Sequence, residues 1–198
     1  MKLKFAFALT ASIILPSSVM AEKLSLTELS GFLNDMKTIS SDFTQISEDG
    51  SVQTGRLLIK RPGKMRFEYN PPEKAVVLAS NNAVAIFDGR SNMPPETYPL
   101  RRTPLSIILA RTVNLSAANM VVGHEYDGTA TIITAQDPKS PEHGYIQLKF
   151  TADPVELRQW VITDGAGSRT TVILGASRRN IELSNSIFSI ERQTGLDN

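Results

Sequence analysis

The sequence contains no cysteine, only two histidines and a single tryptophan among its 198 residues. Without cysteine there is no disulfide framework, no thiol nucleophile and no thiolate metal site. His124, in Gly123-His124-Glu125, and His143, in a loop, fit no metal pattern such as H-E-x-x-H. There is no G-x-S-x-G elbow and no glycine-rich phosphate loop opening a helix. Asp88-Gly89, Asp127-Gly128 and Asp164-Gly165 read as turns. An enzyme, a metal and a cofactor are therefore not expected. An excess of one charge is lacking too: 21 basic residues face 20 acidic ones. That balance gives no basic footprint for nucleic acid.

Long apolar runs are scarce. The one that stands out, Phe5 to Leu15, follows Lys2 and Lys4 and is broken by Pro16-Ser17-Ser18. Val19-Met20-Ala21 then offers a small-residue cleavage site. This pattern is a secretory signal peptide over residues 1–21, too short for the ~20 apolar residues of a membrane span. Residues 22–198 are expected to form a single exported domain that does not span the membrane. No lipobox cysteine follows the signal, so the chain is not expected to be lipidated itself.

What is present is mostly strand. In Lys64-Met65-Arg66-Phe67-Glu68-Tyr69, Met65, Phe67 and Tyr69 point one way and the charged residues the other. That period of two makes a half-buried antiparallel strand. It follows Ser51–Lys60 across a Pro62-Gly63 turn, with Arg61 at the corner. Further strands are predicted over Asp42–Glu48, Lys74–Ala79 and Ala83–Asp88. After Met120 the predictions are Thr129–Ala135, Tyr145–Thr151, Glu156–Thr163, Arg169–Gly175, Arg178–Leu183 and Ile187–Glu191. Asp88 to Pro95 reads as a polar loop.

Two apolar helices break the pattern. Leu29, Phe32, Leu33 and Met36 recur at helical spacing behind a capping box, Ser25-Leu26-Thr27-Glu28. Thr103 reads as an N-cap and Pro104 as the first helical residue of a short helix carrying Leu105, Ile107, Ile108 and Leu109. Asn114–Asn119 suggests a further helical turn. Ten or eleven antiparallel strands should curl or close. The spare helices favour a mainly β fold with some α: an unclosed, strongly curved antiparallel barrel plugged by them.

The run Gly55, Leu57, Ile59, Arg61, Pro62, Lys64, Arg66, Tyr69, Pro71 and Pro72 resembles the periplasmic lipoprotein carriers of Gram-negative bacteria, the LolA family. The resemblance continues through the Thr103-Pro104 helix and covers nearly all of residues 24–195. Two departures stand out: Ile86-Phe87 where many members place tryptophan, and no long extension after Ile190. The resemblance implies an unclosed barrel with a helical lid over an apolar cavity, in a protein of the periplasm. It implies a monomeric shuttle for acylated lipoproteins, loaded by an ABC-type exporter of the inner membrane and emptied at an outer-membrane acceptor. It also implies that Arg61 is a clasp, bonding carbonyls of the lid helices. Met65, Phe67, Tyr69, Val77, Ile86, Phe87, Leu148 and Trp160 are candidates for the cavity lining, and each would serve equally as sheet core. A sensor, an interaction module or a carrier of another lipid would fit the same fold.

Overall fold

Ser25 starts the first helix for a local reason. In the computed structural model, which describes residues 22–195 except 92 and 118, its hydroxyl accepts from the Glu28 amide. The Glu28 carboxylate in turn accepts from the Ser25 amide at 2.8 Å. The capping box thereby satisfies two otherwise orphaned donors and fixes α1 at Leu26–Asp35.

The strands are β1 Thr38–Ile46, β2 Val52–Lys60, β3 Lys64–Tyr69, β4 Val76–Ser80, β5 Ala83–Phe87 and β6 Glu96–Pro99. After the short helix α2, Leu105–Leu109, come β7 Val121–Tyr126, β8 Ala130–Gln136, β9 Gly144–Thr151, β10 Glu156–Asp164 and β11 Arg169–Leu174. β12, Arg178–Arg179, and α3, Ile190–Gln193, complete the order. All strands join one antiparallel sheet in the order β6-β5-β4-β3-β2-β1-β11-β10-β9-β8-β7, with β12 added to β1. β6 and β7 lie at opposite ends of this path. The sheet is thus an unclosed half-barrel, and α1 and α2 lie on its inner face.

Alternation sorts the side chains. Across β1 to β5 the row Ile39, Ile59, Met65, Ala79 and Val84 is in register and buried on the inner face. The neighbouring row, Ser40, Leu58, Arg66, Leu78 and Ala85, faces out. Part of that outer face is covered. A 3₁₀ turn over Asn185–Phe188 packs on β3 and β4, with Phe188 fully buried. Three outer cations tie this strap down: Lys60 to the Leu183 carbonyl, Lys64 to Asn185 and Arg66 to the Ile187 carbonyl.

This strap corrects the expected strand Ile187–Glu191. A single aromatic anchor, Phe188, and the three bonds from these cations, two of them to backbone carbonyls, hold the segment, and Ser189 caps the short α3. The expected strand Arg178–Leu183 shrinks to two paired residues. Residues 114–117 form a turn in place of the helical turn expected over Asn114–Asn119. β6 lies beyond the expected loop; all its residues are exposed, so it lacks the apolar alternation that marks a buried strand. The predicted signal peptide lies outside the described residues.

Candidate functional site: a clasped lid over an apolar interior

The inner face carries an aromatic hub. Phe43 meets Phe67 edge-on at 5.0 Å and Tyr69 at 5.2 Å, and Phe67 meets Trp160 at 6.3 Å. Such edge-to-face contacts stabilise beyond their buried area. The Phe43 ring lies over Gly55: a Cβ built there would come within 2.8 Å of the ring and 2.1 Å of the Glu68 carbonyl oxygen. Tyr69 donates to Gln45 Oε1 at 2.7 Å, and Gln45 donates on to Gln53 at 3.1 Å. Burial, only partly offset by the Gln45 bond, pushes the Tyr69 phenol up to about 12.

Of the candidate lining residues, Met65, Phe67, Leu148 and Trp160 are buried in one apolar cluster. Tyr69 and Val77 pack against it half-buried. Ile86 shares the row of Leu57, Phe67 and Val77. It is 37% exposed, where Val84 on the same strand is 6%. The Ile86 end of that row is therefore the less covered part of the inner face. Phe87 is a correction. It pairs with Val76, opposite Glu68 and Arg56, and belongs to the outer face. Adjacent strand residues cannot share a face.

Leu29, Leu33 and Met36 of α1 are buried, and Phe32 packs edge-on against Phe150 at 5.8 Å. The Arg179 guanidinium lies over the Phe32 ring, 4.9 Å from its centre. In α2, Ile107, Ile108 and Leu109 are buried and Leu105 is half-buried. Leu29, Leu33, Met36, Ile107, Ile108 and Leu109 join the same core as Met65, Phe67 and Trp160, and Phe32 and Leu105 pack against it. The lid side chains thus fill the half-barrel and the interior is shut. Pro104, not Thr103, is the cap residue of α2. The Thr103 hydroxyl instead donates back to the Leu100 carbonyl, because a 3₁₀ turn over Leu100–Arg102 precedes the helix.

Two sets of polar bonds hold the lid. Asn34 of α1 donates to the Val113 carbonyl at 2.8 Å and accepts from the Val113 amide at 2.9 Å. The Ser30 hydroxyl accepts from the Leu115 amide at 2.9 Å. These bonds make α1 and the chain after α2 one body. Arg61 joins that body to the sheet. Its Nη2 donates to the Ala110 carbonyl at 2.6 Å, just past α2, and its amide donates to the Lys37 carbonyl at 2.8 Å, just past α1. Gly63 adds an amide bond to the Leu109 carbonyl at 2.9 Å. Arg61 is only 9% exposed, its Nε has no partner among the described residues, and burial lowers its pKa. Asn34 and Ser30 carry no local sign of these contacts, since their partners lie 79 and 85 residues away.

The two histidines play no part in this clasp: His124 bonds the Leu24 carbonyl, and His143 lies beside Glu142. Among the described residues no helix is long and apolar enough to cross a membrane.

Residues 34–191 match the family model described as outer membrane lipoprotein carrier protein LolA. A protein named outer-membrane lipoprotein carrier protein from Chromohalobacter salexigens is 25% identical over 98% of this chain and 95% of its own. A namesake from Chromobacterium violaceum is 24% identical over 100% and 98% of the two chains. Among solved structures, a domain from Vibrio parahaemolyticus named for outer-membrane lipoprotein sorting superposes with a TM-score of 0.53 at 8% identity. It covers 85% of this chain and 97% of that one. That likeness speaks to the fold, and the family match spans well over half of the sequence. The chain belongs to the LolA family of outer membrane lipoprotein carrier proteins.

Proposed function

We propose that this carrier shields lipoprotein acyl chains between its inner face and its lid. It takes them from an ABC-type exporter in the inner membrane, as a monomer, and releases them to an outer-membrane acceptor. Export would remove residues 1–21 and place residues 22–198 in the periplasm as one domain. The protein itself performs no chemistry; ATP hydrolysis would belong to the exporter.

The observation that carries this reading is the bond from Arg61 to Ala110 beside an interior filled by the lid itself. Each buried methylene contributes roughly 0.8 kcal/mol, so one chain of about fifteen contributes on the order of 12 kcal/mol. A hydrogen bond to a charged group contributes about 1.5–3 kcal/mol. Acyl entry can therefore break the clasp, and reclosing favours release.

The test uses the purified mature protein with an environment-sensitive apolar dye. A fatty acyl ligand should displace the dye, and protein recovered from cells should bring acyl chains detectable by mass spectrometry. Dye binding that acyl chains leave untouched would point to an interaction module instead.

A further inference from the structure

A hollow of about 680 Å³ opens outside the lid, along α2. Its walls are the turn Pro62-Gly63-Lys64, the turn Asn81-Asn82, and the chain around α2 from Leu100 and Arg101 to Arg111. Three cations line it, Lys64, Arg101 and Arg111, and no acid does. The side chains of Arg101 and Arg111 are exposed and have no ion pair or hydrogen bond among the described residues. A chain of balanced charge has left two unpaired guanidinium groups facing one groove. Leu109 and Ala110 also line it, and their carbonyls are the ones that Gly63 and Arg61 hold.

We propose that this groove docks an acidic segment of a partner protein and that docking loosens the lid. Arginine matches carboxylates in bidentate fashion, and charge complementarity speeds and orients association. The groove's shape favours a peptide over a membrane surface. It is concave and edged by turns, with Pro62, Leu100 and Leu109 offering apolar contact between the charges. A flat bilayer would reach only its rim. A peptide seated there bears on Leu109 and Ala110, whose carbonyls Gly63 and Arg61 hold. The effect on the lid rests on the carrier reading above; the docking does not.

The experiment measures anisotropy of a fluorescent peptide rich in Asp and Glu, with Leu and Pro spacers, on the whole mature protein. Binding should weaken about tenfold from low to physiological salt, and about tenfold or more in the double variant Arg101→Glu, Arg111→Glu. Arg169→Glu, on β11, should bind as wild type does. The peptide should also speed uptake of an apolar dye into the wild-type interior. Equal binding by wild type and the double variant overturns the proposal. So does binding to phosphatidylglycerol vesicles with none to the peptide. Peptide binding that leaves dye uptake unchanged, in protein that still takes up acyl ligand, overturns the coupling to the lid. Dye that acyl ligand cannot displace counts against the carrier reading instead.

Discussion

Replacing Arg61 by leucine tests the clasp most directly. Among the described residues the guanidinium makes one hydrogen bond, Nη2 to the Ala110 carbonyl at 2.6 Å. Losing a hydrogen bond to a charged group removes about 1.5–3 kcal/mol from the closed lid. Removing a buried charge whose Nε is unpartnered returns part of that. A net loss of about 1–2 kcal/mol lowers the ratio of closed to open lid roughly five- to thirtyfold. Leucine also adds apolar surface beside the lid, which favours retained cargo. Arg61→Leu should therefore fold, take up dye and lipoprotein readily, and transfer lipoprotein to acceptor membranes more slowly than wild type. Arg61→Lys should rescue only in part, since an ammonium lacks the planar fork. Circular dichroism reports folding, and a timed transfer assay reports release. Equal transfer by both proteins would sink the clasp mechanism, and an unfolded mutant would make Arg61 a structural residue.

Four further outcomes are expected. Asn34→Ala removes both bonds to Val113 and should cost about 1–3 kcal/mol; amide exchange at residues 110–116 should quicken, and unchanged exchange would refute the coupling of α1 to that segment. Gly55→Ala puts a Cβ 2.1 Å from the Glu68 carbonyl oxygen and should cost at least about 1–3 kcal/mol; an unshifted denaturation midpoint would contradict the close approach. Phe188→Ala empties a fully buried site on the outer face and should cost about 3–5 kcal/mol while acyl binding by the folded protein stays intact. The Tyr69 phenol, raised from 10.0 to about 12, contributes stability that is full below pH 10 and lost as pH rises through 12; a phenolate absorbance step near 12 should vanish in Tyr69→Phe, and ionisation of Tyr69 alongside exposed tyrosines would overturn it.

Features set by near neighbours were legible in the sequence. The capping box placed α1, and the alternation of Met65, Phe67 and Tyr69 placed one face of β3 inward. Features set by distant contacts were not. The Ile187–Glu191 stretch has strand composition, yet Phe188 seats on the outer face and Lys60, Lys64 and Arg66 hold the segment around it. Tertiary contacts outweighed its β propensity. Phe87 is as apolar as Ile86, and only the register with Val76 decides its side. Phe43 was hidden for a similar reason: its role as a hub depends on Gly55 lying opposite in β2. The resemblance around Arg61 pointed to a bond with a carbonyl of the α2 segment, which Ala110 accepts, while Asn34 and Val113 find each other only in the folded chain.

The closed lid behaves as an internal competitor of the cargo. Ile107, Ile108 and Leu109 occupy the inner face when no acyl chain does. Burying such side chains contributes about 1.5–3 kcal/mol each, so lifting all three exposes surface worth roughly 5–9 kcal/mol. The Arg61 bond adds about 1.5–3 kcal/mol. Against this stand on the order of 12 kcal/mol from one incoming chain. The difference is a few kcal/mol, and the lid cost is an upper bound because a raised lid can rest on its cargo. An open greasy groove would bind the same chain with nearly the full amount and hold it against any acceptor. On the proposed mechanism, covering the site with the protein's own residues would lower the net affinity into a range that an acceptor can exceed. The polar latch then trims that affinity without adding apolar surface. On the proposed mechanism, lid burial sets most of that cost, and the hydrogen-bonded arginine at the lid's edge sets the last few kcal/mol, about 1.5–3, that balance holding against release.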